Sequence, residues 1–144
     1  MLDSRQEKAD AWSKKVIGAA IEVHREMGPG LLESIYEKCL LHECKLQNIP
    51  TQSQLSVDID YKNLRFDDGL RIDLLIDGCL LIELKAVEAV LPIHKAQLYS
   101  YMKLLNVPVG LIINFHEIKL VDGLHRLYLS SNKLATSFPS FPSV

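Results

Sequence analysis

Asp73, Glu83 and Lys85 interrupt an otherwise apolar stretch, RIDLLIDGCLLIELKAV, at residues 71–87. Charge is costly to bury, so these three residues need a reason to be there. Two carboxylates brought together repel, and one of them takes up a proton. A divalent cation between them favours both ionised forms. Hard oxygen donors of this kind suit Mg²⁺ or Mn²⁺. Lys85, just beyond Glu83, is close enough to orient a water or hold a phosphate oxygen. The same residues also read as an ordinary wet face, with Glu83 and Lys85 in cross-strand ion pairs to Asp73 and Arg71, each worth little.

The strand geometry limits these readings. Two apolar runs, 70–76 and 79–87, flank Asp77-Gly78, which is a hairpin signal. Side chains alternate along a strand, so Glu83 and Lys85 share a face. On the other run Arg71 and Asp73 share a face. The opposite faces, Leu70, Ile72, Leu74, Ile76 and Leu80, Ile82, Leu84, are wholly apolar. Both charged sets meet only if the loop holds an odd number of residues. A two-residue Asp77-Gly78 loop pairs Asp73 with Ile82 and separates them. A three-residue loop at 76–78, with Gly78 left-handed, pairs Asp73 with Leu81 and aligns them, and this form is expected.

Two further segments carry candidate chemistry. In GPGLLESIYEKCL, Gly30, Glu33 and Tyr36 follow Gly-x-x-Glu-x-x-Tyr. Glu33 falls in the first turn of a helix, where a carboxylate also favours the dipole, and Tyr36 reads equally as core. In HKAQLYSY, His94, Gln97 and Tyr101 are spaced to share one helical face. An amphipathic helix with a polar edge has the same pattern.

The elements that must position these residues follow from periodicity. Trp12, Val16, Ala19, Ala20, Val23 and Met27 form a helical stripe, capped by Asp3 or Ser4 and ended by Gly28-Pro29-Gly30. A second helix spans 31–47, with Leu32, Ile35, Tyr36, Cys39, Leu40 and Cys44 on its apolar positions. Leu55, Val57, Ile59 and Tyr61 alternate as a strand with one wet face, and NLRFDDG, 63–69, reads as a turn. Pro92 opens a helix to about Asn106, with Ala96, Leu98, Tyr101, Met102 and Leu105 inward. VPVGLIINF reads as a central parallel strand, and HRLYLS as an edge strand. The tail from Ser131 is Ser- and Pro-rich.

Composition bounds the rest. The chain has 144 residues, 48% of them apolar and 24% charged, which suits one globular domain over 1–130 with a tail over 131–144. A net charge of −2 removes any whole-chain attraction to phosphate. Local cations that could line a groove are Lys14, Lys15, Arg25, Lys38, Lys45, Arg71, Lys95 and Lys103. Cys39, Cys44 and Cys79 form no Cys-x-x-Cys pair and are expected to be reduced thiols. With no signal-peptide core and no membrane-spanning window, a cytoplasmic protein is expected.

Taken together and in order, GPGLLESIY, RIDLLIDG, LIELKAV, HKAQLYSYMKLL and VGLIINF resemble the PD-(D/E)XK nuclease superfamily. More narrowly, they resemble its small bacterial GxxExxY family. The resemblance runs from about His24 to Phe115. It implies a restriction-endonuclease-like α/β core, in which helices flank a mixed sheet made of a three-stranded antiparallel meander plus a parallel strand. It implies Asp73 and Glu83 as metal-binding carboxylates, Leu84 as a backbone-carbonyl ligand, Glu33 as the acid supplied by the helix, and Lys85 as the catalytic lysine. Gln97 with Tyr101 resembles the Gln-x-x-x-Tyr of RecB-like exonucleases, with His94 and Tyr36 as accessory residues. The superfamily's Pro before the Asp is absent, and Ile72 holds that place. The implied activity is Mg²⁺- or Mn²⁺-dependent phosphodiester hydrolysis, on DNA before RNA, with a homodimer as the form that cuts both strands. The other reading is a non-catalytic nucleic-acid- or protein-binding module that keeps the fold. Convergence of Glu33, Asp73, Glu83 and Lys85 in an open cleft separates the two.

Overall fold

The computed structural model describes residues 4–130. The suggested Asp3 cap and the tail from residue 131 lie outside the described residues. The elements are α1 (Ser4–Met27), α2 (Glu33–Leu46), β1 (Thr51–Tyr61), β2 (Leu64–Ile76), β3 (Leu80–Lys85), α3 (Pro92–Leu105), β4 (Val109–Asn114), a 3-10 turn (Leu120–Gly123) and β5 (Leu124–Tyr128). The sheet order is β1-β2-β3-β4-β5. β1, β2 and β3 form an antiparallel meander, β4 lies parallel to β3, and β5 lies antiparallel to β4. This is the mixed α/β architecture expected. Parallel neighbours need a crossover, and α3 supplies it.

Each face of the sheet has its own apolar layer. Val16, Ala19, Ala20 and Val23 of α1, with Tyr36, Leu40 and Cys44 of α2, cover Leu74, Ile76, Leu80, Ile82 and Leu84. On the other face Leu98, Tyr99 and Met102 of α3 pack with Leu81 and Ile112. β4 is covered on both sides and is buried along its whole length. Met27, Leu32 and Ile35, expected on apolar stripes, are exposed. All three lie at or near the Gly28–Gly30 break, where the chain leaves one helix for the next. Lys95, a candidate for a groove, is instead buried at 4% exposure. Cys44 and Cys79 are buried, and all three cysteines are free.

Three expectations about the strands are corrected. Residues 63–69 are not a turn. The turn is Lys62-Asn63, with φ of 48° and 71°, and Leu64, Arg65 and Phe66 pair back with Tyr61, Asp60 and Ile59. Asn tolerates the left-handed region, which permits so tight a reversal. The ribbon is polar because it is exposed, with Arg65 bridging to Asp58 at 2.7 Å and the Asp68 N–H donating to Asp58 at 2.9 Å.

The β2–β3 loop is three residues, as expected, but covers 77–79 rather than 76–78, since Ile76 pairs with Leu80. Gly78 is left-handed at φ 67°. Asp77 is held on the loop by the Trp12 indole N–H at 2.9 Å and Lys8 at 2.8 Å. Leu81 pairs with Leu75, so it is not the partner of Asp73, and the paired stretch ends at Leu74↔Ile82.

The even-numbered face of β2 is apolar but not continuous. Leu70 and Ile72 join the layer under α3, while Leu74 and Ile76 join the layer under α1 and α2. The strand therefore turns over at Asp73. The β1–β2 register passes from Ser53↔Leu74 to Leu55↔Ile72, and Gln54 between them is left-handed at φ 51°. A left-handed non-glycine residue is a local cost that the surrounding ribbon holds in place.

The ends of β3 and β4 are joined by Asn114. Its side-chain amide accepts from Val87 N–H at 3.1 Å and donates to Val87 C=O at 2.8 Å. A Cβ on Gly123 would lie 2.3 Å from the Asn114 carbonyl oxygen, a backbone atom with no freedom to step aside. Gly123→Ala is therefore expected to lower stability by roughly 2 kcal/mol or more. A urea unfolding midpoint that matched the parent's would contradict this.

Candidate active site

The turn-over in β2 releases Asp73 from regular pairing. Its carboxylate accepts the Leu84 N–H of β3 at 2.9 Å. On β3 the Lys85 ammonium lies 3.5 Å from the Glu83 carboxylate, and both side chains are largely buried, at 16% and 14% exposure. Arg71 forms no ion pair with Asp73 or Glu83 among the described residues, so the cross-strand pairing reading is not what the strands adopt. α2 carries Glu33 in its first turn, as an exposed residue. The direct contacts are Lys85 with Glu83 and Asp73 with the Leu84 N–H, and Glu33 is near enough to feel the charges of Asp73 and Lys85.

The electrostatics are those of crowded acids. Burial, then the Asp73 charge, pushes Glu83 from 4.5 up to about 7, against the opposing pull of Lys85. Burial raises Asp73, with the Leu84 N–H working the other way and the Glu37 charge adding to the rise. Glu33 is exposed as a residue, yet partial desolvation and then Asp73 lift its carboxyl as well. Glu37, one helical turn after Glu33, was not singled out from the sequence. The i, i+4 spacing of the two glutamates was the available signal.

The α3 residues sit at the margin. His94 Nδ1 accepts the Leu91 N–H at 3.0 Å, fixing the start of α3. Burial and then Lys85 lower its pKa. The Gln97 amide donates to the Tyr101 hydroxyl at 3.0 Å. Neither Gln97 nor Tyr101 hydrogen-bonds to Asp73, Glu83 or Lys85 among the described residues. Tyr36 has a structural role. It is fully buried and stacks on Phe115 with ring centroids 4.4 Å apart. Its hydroxyl donates to Gly28 C=O at 2.5 Å and accepts Leu31 N–H at 3.0 Å. It thereby ties the Gly28–Gly30 loop to α2 and sets where Glu33 begins the helix. Asn114 was also missed, although it is the one polar side chain in an apolar strand run.

Whether a metal ion suits this corner can be judged from its donors. They are hard oxygens; burial first, and like charge with it, raises all three predicted acids, and the like charge is what a divalent cation relieves. Among the described residues no three His, Cys, Asp or Glu side chains are grouped to hold a metal ion. The cation in contact with Glu83 is Lys85. The donor chemistry fits a divalent ion.

A family model described as the PD-(D/E)XK nuclease superfamily matches residues 10–127, most of the chain. The chain belongs to the PD-(D/E)XK nuclease superfamily. No curated protein matches it, and no solved structure does. Members of the superfamily generally use divalent metal ions, which agrees with the donor set. Among the described residues no helix is long and apolar enough to cross a membrane.

Two outcomes follow for this PD-(D/E)XK chain. Tyr36→Phe removes both hydroxyl contacts while keeping the ring stack, and is expected to cost about 1–2 kcal/mol in thermal or urea unfolding. Glu83 makes the stability of the metal-free chain depend on pH. Unfolded, it loses its proton near 4.5, and folded near 7. Its contribution is therefore fully present below the unfolded value and is lost as pH rises through the folded one. Urea midpoints should fall between about pH 5 and about pH 8, and Glu83→Gln should flatten that fall. A variant with the parent's pH slope would show that the group does not titrate this way.

Proposed function

We propose that the protein is a metal-dependent nuclease that hydrolyses phosphodiester bonds, in DNA before RNA. The observation that carries this reading is the meeting of Glu33, Asp73, Glu83 and Lys85, from a helix and two strands, in one half-buried corner. We read the Gly30-x-x-Glu33-x-x-Tyr36 segment as that of the GxxExxY family, residues 1–130 as a single nuclease domain, and the protein as cytoplasmic.

In this reading Asp73, Glu83 and the Leu84 carbonyl, with Glu33, hold Mg²⁺ or Mn²⁺. Such an ion, when bound, binds a phosphate oxygen and lowers the pKa of an attacking water. The chain's own residues do the rest. The Leu84 N–H occupies one Asp73 oxygen at 2.9 Å, fixing the carboxylate plane and leaving the other oxygen free. Glu83 steadies the Lys85 ammonium at 3.5 Å. Lys85 holds a phosphoryl oxygen and stabilises the charge that builds there as water attacks. One P–O bond to water forms and one ester P–O bond breaks. Gln97, Tyr101 and His94 of α3 border the path of the nucleic acid. A homodimer is the form that would cut both strands of a duplex.

One observation favours the second reading, a non-catalytic binding or regulatory module that keeps the nuclease fold. It is that, among the described residues, no three His, Cys, Asp or Glu side chains are grouped to hold a metal ion. Cleavage assays decide between the readings, using single-stranded DNA, duplex DNA and RNA with Mg²⁺ or Mn²⁺. Cleavage is expected, and both Lys85→Ala and Asp73→Ala should abolish it while leaving the circular dichroism spectrum and melting intact. Activity surviving both substitutions would come from elsewhere, and no cleavage of any substrate by the parent would favour the module.

A further inference from the structure

Arg71 stands out once the site is assembled. It is an exposed arginine two residues before Asp73, beside a corner that holds Glu33, Glu37, Asp73 and Glu83. Yet it makes no ion pair with any of them among the described residues. Its guanidinium instead donates to the neutral side-chain oxygen of Gln54 at 3.4 Å. The other end of the same amide, Gln54 Nε2, donates to the Glu37 carboxylate on α2. Gln54 is the left-handed residue at the turn-over of β1 and β2. A chain of contacts thus runs from α2 through β1 to Arg71 on β2, around the outside of Asp73.

This arrangement answers a problem that the proposed activity raises. A polyanion must approach a corner rich in carboxylates, on a chain of net charge −2. Lys85, the ammonium inside, lies against Glu83 and serves the reacting phosphate. A phosphate neighbouring the reacting one would need a cation outside the corner, oriented but not neutralised. A guanidinium bound to a neutral amide keeps its full charge and most of its donors for a second partner.

We propose that Arg71 binds a non-scissile phosphate of the nucleic-acid strand, and that Gln54, anchored on Glu37, positions it. This inference rests on the nuclease reading for its substrate class but not on turnover.

The test separates the two. Binding of fluorescein-labelled oligodeoxythymidylate to the full chain is measured by anisotropy across a salt series, with Ca²⁺ in place of Mg²⁺ so that binding is read apart from cleavage. Losing one phosphate contact on a single strand should reduce the slope of log affinity against log salt by about 0.7. Arg71→Ala is expected to show that drop. Arg71→Lys should keep the parent slope while binding more weakly, because charge remains and the fork is lost. Gln54→Gly preserves the left-handed backbone and should weaken binding with the slope unchanged. In cleavage assays Arg71→Ala should raise KM and leave kcat near the parent's. An unchanged slope in Arg71→Ala, or no binding by the parent, overturns the proposal. A parent that binds with the expected slopes but never cleaves would leave Arg71 as assigned and remove the nuclease reading.

Discussion

Several carboxylates share a half-buried corner with a single ammonium, and the surrounding structure has to tolerate that repulsion. In water the acids would separate. Here α2 holds Glu33 and Glu37, and β2 and β3 hold Asp73 and Glu83, with Glu83 retaining its proton up to about 7. Burial is the largest cause for Glu33, Asp73 and Glu83 alike. The crowding is therefore not incidental surface charge. The upward shifts of these acids follow first from desolvation and then from their neighbours' charge. A site of this kind favours whatever brings positive charge, which in a PD-(D/E)XK chain is a divalent ion.

The fold sustains the corner by interrupting its own regularity. β2 turns over at Asp73, so its apolar residues serve one layer before that point and the other layer after it. An uninterrupted strand would leave Asp73 in the ladder with its carboxylate on one fixed face. The turn-over lets it reach the Leu84 N–H of the next strand. The left-handed Gln54 lies at the same level of β1, and its amide reaches α2. The left-handed residue and the acid cluster thus coincide, as they do where structure is held for function.

Residues outside the corner set its shape. Tyr36 fastens the Gly28–Gly30 loop and stacks on Phe115, so the first turn of α2 is pinned to the end of β4. Asn114 at the end of β4 clamps Val87 just beyond Lys85. The Phe115 N–H donates to Lys85 C=O at 2.9 Å. The carboxyl ends of the two parallel strands are thereby closed together beside the charged residues. In the Gly-x-x-Glu-x-x-Tyr segment the glutamate faces the site, and the tyrosine holds the loop from which that glutamate starts.

Periodicity was enough to read the order of helices and strands, and side-chain alternation the odd hairpin loop, whereas Glu33 was joined to Asp73 and Glu83 only by the family resemblance. The first two are local or pairwise consequences of residue type: apolar spacing sets the element, and a glycine sets the turn. The exposed ribbon around Lys62-Asn63 misled the same reasoning, because a two-stranded extension with both faces wet has the composition of a loop. The exact register, the turn-over at Asp73, the burial of Lys95 and the recruitment of Glu37, Gln54 and Asn114 were decided only in three dimensions. Each depends on contacts between segments far apart in the chain, where the cost of burying a charge is set by neighbours that no local pattern names.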